Sequence, residues 1–234
     1  MGTGQGLASI RRAFAGKGRL IWHHSWLLDG KQVEATTVRS SILHVLRQRG
    51  YAGLNINPER LMERGLLMEE RDYLTAHRGV ATVFIYAAPA GRDLYISRAT
   101  TVLPAISSIR VVILSLLGLL MLFGFIIRPN PNSLLSGDAF AFVVASFLSI
   151  LSIPLLLFFI FLLIRSFIYW LFEKDFWIYL RPNVLKDFQL DDIALLEHAT
   201  DDTVHDAIAQ LGLDASKIVP PTQGYQPKQR YRLI

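Results

Sequence analysis

Residues 111–127 and 139–164 run for 17 and 26 positions without an Asp, Glu, Lys or Arg, and only the eleven residues 128–138 part them. Hydrocarbon offers no partner for backbone N–H and C=O groups, so stretches this long and apolar are best satisfied as α-helices crossing a bilayer. Thirteen of the first 17 residues are Leu, Ile, Val or Phe. Each favours insertion by roughly 0.3 to 0.6 kcal/mol at the helix centre, where a charge opposes it by about 2.5 to 3.5. Seventeen residues rise only about 25 Å, short of the ~30 Å hydrocarbon core. The first helix is therefore expected over 106–127, with Arg110 reaching back to the interface, and the second over 139–168 with a kink at Pro154.

Orientation follows from the flanking cations. Arg92, Arg98 and Arg110 precede the first run, Arg165, Lys174, Arg181 and Lys186 end or follow the second, and the intervening loop holds only Arg128. Both termini are thus expected in the cytoplasm of a multi-pass cell-membrane protein. The Pro- and Asn-bearing loop suits a tight turn on the far side. The first twenty residues hold no apolar core of signal-peptide length, and Gly6 stands where a myristoylation signal requires Ser or Thr.

Charge is unevenly divided. Residues 1–110 carry 15 Lys and Arg against 8 acids, 111–164 one against one, and 165–234 carry 8 against 10, so the net +5 averages unlike pieces. A basic cytoplasmic segment beside a bilayer points to anionic lipid as a partner, at about 1 kcal/mol per well-placed cation, without invoking nucleic acid. The chain has no cysteine, which excludes disulfides, thiolate catalysis and Cys-ligated metal.

The predicted fold class is an α+β cytoplasmic domain, an antiparallel meander with a covering helix, joined to a two-helix transmembrane hairpin and a short helical C-terminal segment. Its parts are a flexible basic arm over 1–18, the α+β domain over 19–103, the hairpin over 104–172, an aromatic and acidic region over 173–219, and a flexible tail over 220–234. Residues 20–28 alternate as a strand, with Leu20, Trp22, His24, Trp26 and Leu28 on one face and Ile21, His23, Ser25 and Leu27 on the other. Val38, Ile42, Val45 and Leu46 recur at helical spacing over 34–48, before a stop at Gly50. Asn57-Pro58-Glu59 reads as an N-cap with proline at the first helical position, opening two turns that close at Gly65. Residues 70–77, 80–88 and 93–101 form a meander whose middle strand, apolar on both faces, belongs at the sheet centre. Few residues part the last strand from the first apolar helix, which should couple sheet and bilayer mechanically.

In the second helix Ala141, Ala145, Ser149 and Ser152 form a small-residue stripe, expected as a helix-packing interface with the first helix or with another subunit. After it Phe167, Tyr169, Trp170, Phe172, Phe176, Trp177 and Tyr179 fit a membrane-interface belt. Residues 176–180 could instead be an edge strand on the amino-terminal sheet, which would make the flanking pieces one domain. Beyond Pro182 two short helices are expected, with Ile193, Leu196 and Ala199, then Val204, Ile208 and Leu211, on their apolar faces, a break near Thr200 and a stop at Gly212. Too short to be stable alone, they should dock on the basic domain or on a partner.

Chemical candidates are few. His23 and His24 point to opposite faces of a strand and cannot share an ion, and His24 between Trp22 and Trp26 suits a core position. His198 with Asp202, and Asp201 with His205, have metal-ligand spacing on a helix, which a solvated acidic surface explains equally well. No nucleophile elbow or phosphate loop occurs, and GTGQG near the start lacks the preceding strand and the lysine. No catalytic residue, cofactor or metal is expected. The expected role is an interaction, scaffold or assembly subunit of a membrane complex, bound to a protein partner or to its own copies. The rivals are a membrane-anchored enzyme with His24, His77 or Asp72 gathered in a pocket, and an oligomeric channel lined by Ser146, Ser149 and Ser152.

Overall fold

A computed structural model describes residues 14, 16–29, 33–63, 69–127, 139–182 and 185–218. The chain divides into two compact units, one made of residues 1–104 and 183–234, the other of residues 105–182.

The first unit is built on a five-stranded antiparallel sheet. Its strands are β1 (Arg19–Leu28), β2 (Asn55–Glu63), β3 (Glu69–Arg78), β4 (Ala81–Ala90) and β5 (Asp93–Val102), in the order β1-β5-β4-β3-β2. The meander of three strands is present and extends to four, with β4 at the centre as its two apolar faces require. Helix α1 (Ala35–Arg49) buries Val38, Ile42, Val45 and Leu46 and ends at Gly50, whose φ of 59° is the left-handed geometry that glycine adopts without strain. Together with helix α4 (Asp187–Gln210) it covers one face of the sheet. Ile42 and Leu46 of α1, Val83, Ile85 and Ile96 of the sheet, and Leu196 and Ile208 of α4 share one core. The opposite face carries a second cluster, in which Phe84 and Tyr73 pack against Phe14.

Several elements depart from the sequence reading. Asn57 and Pro58 open no helix: they lie in β2, paired along its length with β3. Proline is tolerated there because β2 is an edge strand, where the missing N–H faces no ladder partner. Leu20 does not share a face with Trp22. A bulge at Ile21 shifts the register between Leu20 opposite Thr101 and Trp22 opposite Thr100, turning Leu20 onto the Phe84 side while Trp26 and Leu28 stay with the helices. The two short carboxy-terminal helices are one helix of 24 residues, α4, with no break at Thr200. There the threonine hydroxyl donates back to the carbonyls of Leu196 (2.8 Å) and Glu197 (3.0 Å). Residues 176–180 are not an edge strand: Ile178–Leu180 is a turn of 3-10 helix. The flanking pieces nevertheless form one unit, joined by α4 rather than by a strand. Of the region over 173–219, residues 173–182 fall in the second unit and residues 183–219 in the first.

The second unit holds helices α2 (Ser108–Ile126) and α3 (Ala139–Glu173), both long and apolar enough to cross a membrane. Helix α3 continues five residues past the expected end at 168, because Phe167–Phe172 extend the apolar helical run. Gly124 of α2 lies against α3, where a Cβ would overlap the Leu148 carbonyl and come within 2.8 Å of the Ser152 Cβ. The arm over 1–13, the turn over 128–138, the stop at Gly65 and the tail over 220–234 lie outside the described residues. Phe14, within the expected arm, is 3 % exposed and packed on the sheet.

Candidate functional site

On the helix-covered face of the sheet, Arg98 of β5 stands where a run of apolar partners would be expected. Its neighbours on that face of β5 are Ile96 and Thr100, and across the ladders it opposes His24 of β1 and Ile85 of β4. Helix α4 lays two acids over it, Glu197 and Asp201, one helical turn apart. Arg98 Nη1 donates to Asp201 Oδ1 at 2.5 Å and to the Glu197 carbonyl at 3.2 Å. The three residues are 1 %, 4 % and 3 % exposed, so the group is sealed from water.

Two carboxylates face one guanidinium, and the hydrogen bonds do not close. Arg98 Nε and Nη2, Glu197 Oε1, Asp201 Oδ2 and His24 Nε2 are buried without a hydrogen-bond partner among the described residues. Burial pushes the Glu197 and Asp201 carboxyls above their usual range, opposed by the Arg98 charge. Burial also lowers the His24 imidazole, helped by Arg98 and His23. Such a cluster can hold a proton between two acids and fasten α4 to the sheet. Sealed as it is, it touches no substrate.

The sign of its pH dependence follows. An acid raised in the folded state binds protons more readily there than in the unfolded chain, so its contribution to stability grows as pH falls from its folded pKa toward the ordinary value near 4. We expect Glu197→Gln, which keeps the shape and removes the surplus charge, to stabilise the first unit at pH 7 by about 1 kcal/mol. That gain should vanish near pH 4, where Glu197 is itself neutral. Thermal unfolding of both proteins across that range checks it.

The three residues that would have made a pocket lie apart. His24 is on β1 and His77 on β3, with β5 and β4 between them, and neighbouring strands stand about 4.8 Å apart. His77 also lies on the opposite face, exposed, with Nδ1 3.0 Å from the Thr82 hydroxyl. Asp72 is at the far edge, in a groove of about 510 Å³ between α1 and β2. It accepts from Arg60 Nε at 2.9 Å and pairs with Arg39 at 3.2 Å, and these bonds hold its carboxyl below the usual range.

His198 and Asp202 are 3.4 Å apart on the exposed side of α4. Asp201 is turned away from His205 onto Arg98, and His205 meets Asp206 at 3.8 Å. Among the described residues no group of three or more His, Cys, Asp or Glu could hold a metal ion. Of the small-residue stripe, Ala145 and Ser152 are buried, Ser149 is half-buried and Ala141 exposed; Ser146, named for the channel lining, is half-buried. Phe167, Tyr169, Trp170 and Phe172 lie on the last turns of α3, and Phe176, Trp177 and Tyr179 on the turn that follows. The Arg165 guanidinium sits 5.6, 5.9 and 5.3 Å from the ring centroids of Phe161, Tyr169 and Tyr179. Lys174 sits 4.7 Å over Trp170.

The Arg98 cluster was missed by sequence reasoning, although a signal for it exists. Arg98 shares a strand face with Leu94, Ile96 and Val102, while Glu197 and Asp201 fall in line with Ile193 and Val204 on the apolar face of a helix. Opposite charges on two apolar faces are the pattern of a buried pair. The cluster also corrects the orientation argument, since Arg98 is spent on Asp201 and cannot attract lipid. The charge balance shifts as well. Residues 1–104 carry 14 Lys and Arg against 8 acids and residues 183–234 carry 5 against 8, so the assembled unit is +3, well below the basic head expected from residues 1–110. Compared with family models, with curated proteins and with solved structures, the chain matches none.

Proposed function

We propose that the chain is a two-pass integral membrane protein with both termini in the cytoplasm, whose α+β unit serves as an interaction module of a membrane complex. The observation that carries this reading is the connectivity. The chain leaves the first unit at Pro104 and re-enters it at Asn183, so apolar helices between those points must cross in pairs. Their surfaces support a lipid setting: Phe140 is 81 % exposed, Ile126 74 % and Ile150 71 %, far more apolar surface than water tolerates on a monomer. Exposed Arg92, Arg165, Lys174 and Lys186 flank the helices, which favours a cytoplasmic location for those ends and contact with anionic lipid there. A module that binds protein suits a unit whose buried charges fasten the fold, in which His24 lies on β1, with two strands between it and Asp72 and His77, and those two point to opposite faces of β3.

The absence of native cysteine makes the test direct. We expect the protein to stay in the membrane after alkaline carbonate washing. Single cysteines at Ser133 or Ser136 should react with an impermeant maleimide added to intact cells, while one at Ser216 should react only after lysis. Release by carbonate, or labelling of Ser216→Cys from outside, refutes the placement. Gentle detergent extraction should bring out the protein bound to another protein or to its own copies. A lone monomer that transfers or hydrolyses a group would refute the interaction role.

A further inference from the structure

At the start of α2 and near the end of α3 two arginines come to one place. Gly124 of α2 lies against Leu148 and Ser152, and Gly118 faces Phe159, so the helices run antiparallel and Arg110 comes level with the turn of α3 that holds Arg165. Both meet Tyr179, on the segment that returns from α3. Arg110 Nη1 donates to the Tyr179 carbonyl at 3.1 Å and also to that of Arg181, while the Arg165 guanidinium stands 5.3 Å from the Tyr179 ring centroid. The Ser107 N–H donates to the Leu180 carbonyl at 2.7 Å, which fixes the returning segment against the start of α2. Tyr179 thus gathers the two guanidiniums.

Neither cation meets a carboxylate. Among the described residues Arg110 and Arg165 form no ion pair, and Asp175 is engaged by Arg181 Nε at 2.8 Å and by the Trp177 N–H at 3.2 Å. Arg165 is exposed and Arg110 half-buried, so both can be reached from outside. A guanidinium beside aromatic rings keeps in-plane N–H groups to give. Like charges gathered this closely repel, and an anion between them reverses the sign. Depth names the anion. From Arg110 to Ile126 α2 rises about 24 Å, most of the ~30 Å hydrocarbon core, so the pair falls where hydrocarbon gives way to headgroups. The end of α3 at Glu173 stands about 12 Å farther out than Arg165. The anions abundant at the inner level are lipid phosphates, whose oxygens match the guanidinium fork.

We infer that Arg110 and Arg165 form a site for the phosphate of one anionic phospholipid, bound beside Tyr179 where the two helices end. The site rests on the membrane placement proposed above and gives the lipid contact a definite address. A headgroup with no cation of its own leaves both arginines to the phosphate, so phosphatidylglycerol should be preferred to phosphatidylcholine.

The test uses the full chain in a zwitterionic detergent, with lipid retention read by native mass spectrometry. Phosphatidylglycerol should saturate at one tightly held molecule, and phosphatidylcholine should bind at least about tenfold more weakly. Arg165→Gln, a change at an exposed position that the fold tolerates, should weaken phosphatidylglycerol binding by about tenfold or more. Arg165→Lys should fall between the two, because an ammonium keeps the charge and loses the fork. Arg47→Gln removes the same unit of charge from the exposed side of α1 and should change nothing. An equal loss with Arg47→Gln, or none with Arg165→Gln, overturns the site. Displacement of the lipid by inorganic phosphate at equal concentration would mark a site for soluble anions and overturn the lipid assignment. A protein that withstands carbonate washing while Arg165→Gln binds phosphatidylglycerol as tightly as the native chain loses the site and keeps the placement. Release by carbonate refutes the two together.

Discussion

Replacing Arg98 by methionine should destabilise the first unit by about 3–5 kcal/mol, a large share of what a unit this size has to lose. The arginine is 1 % exposed and lies against two acids that are 4 % and 3 % exposed. Without it, Asp201 and Glu197 remain in the interior with no compensating charge, and either each takes up a proton or α4 lifts from the sheet. The loss should therefore be steepest above neutral pH and shrink in acid. The triple change of Arg98→Met, Glu197→Met and Asp201→Leu should recover most of it, because apolar groups of similar volume carry no desolvation cost. Circular dichroism in the near ultraviolet, followed through denaturant unfolding, measures both. A single variant as stable as the native chain would mean the cluster is open to water.

Phe84→Ala should cost about 3–5 kcal/mol for the other reason an interior fails, an unfilled space. Phe84 is fully buried on the far face of β4, its ring 4.8 Å from that of Phe14 and 6.1 Å from that of Tyr73. Truncation deletes the surface on which Phe14 rests. Lys17, three residues on and paired with Glu59, should then be cut faster by trypsin, ahead of global unfolding. Unchanged cleavage at Lys17 would show that Phe14 is held by something other than this ring.

The elements read well from sequence are those whose stabilisation is local. Helix α1 shows its apolar stripe and its glycine stop within fifteen residues, and β3, β4 and β5 are joined by short turns, so proximity in the chain dictates their pairing. The failures lie where distant partners decide. The Asn57-Pro58 signal is a sound helix start, overridden by the ladder to β3. The Thr200-Asp201-Asp202 sequence resembles a fresh helix start, yet Asp201 is claimed by a residue 103 positions away and the helix runs through. The pairing of β1 with β5 spans most of the first unit and leaves no mark in either strand. Of the site, His24 was expected in the core and lies instead half-buried, stacked between the two tryptophans, whereas Arg98 was read as a lipid-facing cation because nothing near it in sequence is acidic enough to claim it.

The dependence of Arg98 on an acid encoded so much later has a bearing on how the chain is made. At about 5–20 residues per second of synthesis, Asp201 follows Arg98 by roughly 5–20 s, and both apolar helices must be translated in that interval. Until then the sheet lacks one of its two covering helices and carries a naked interior cation. A nascent chain stalled within α3 would consequently present an unfinished domain to chaperones and proteases, so that completion of the fold itself reports that the greasy segments have been dealt with.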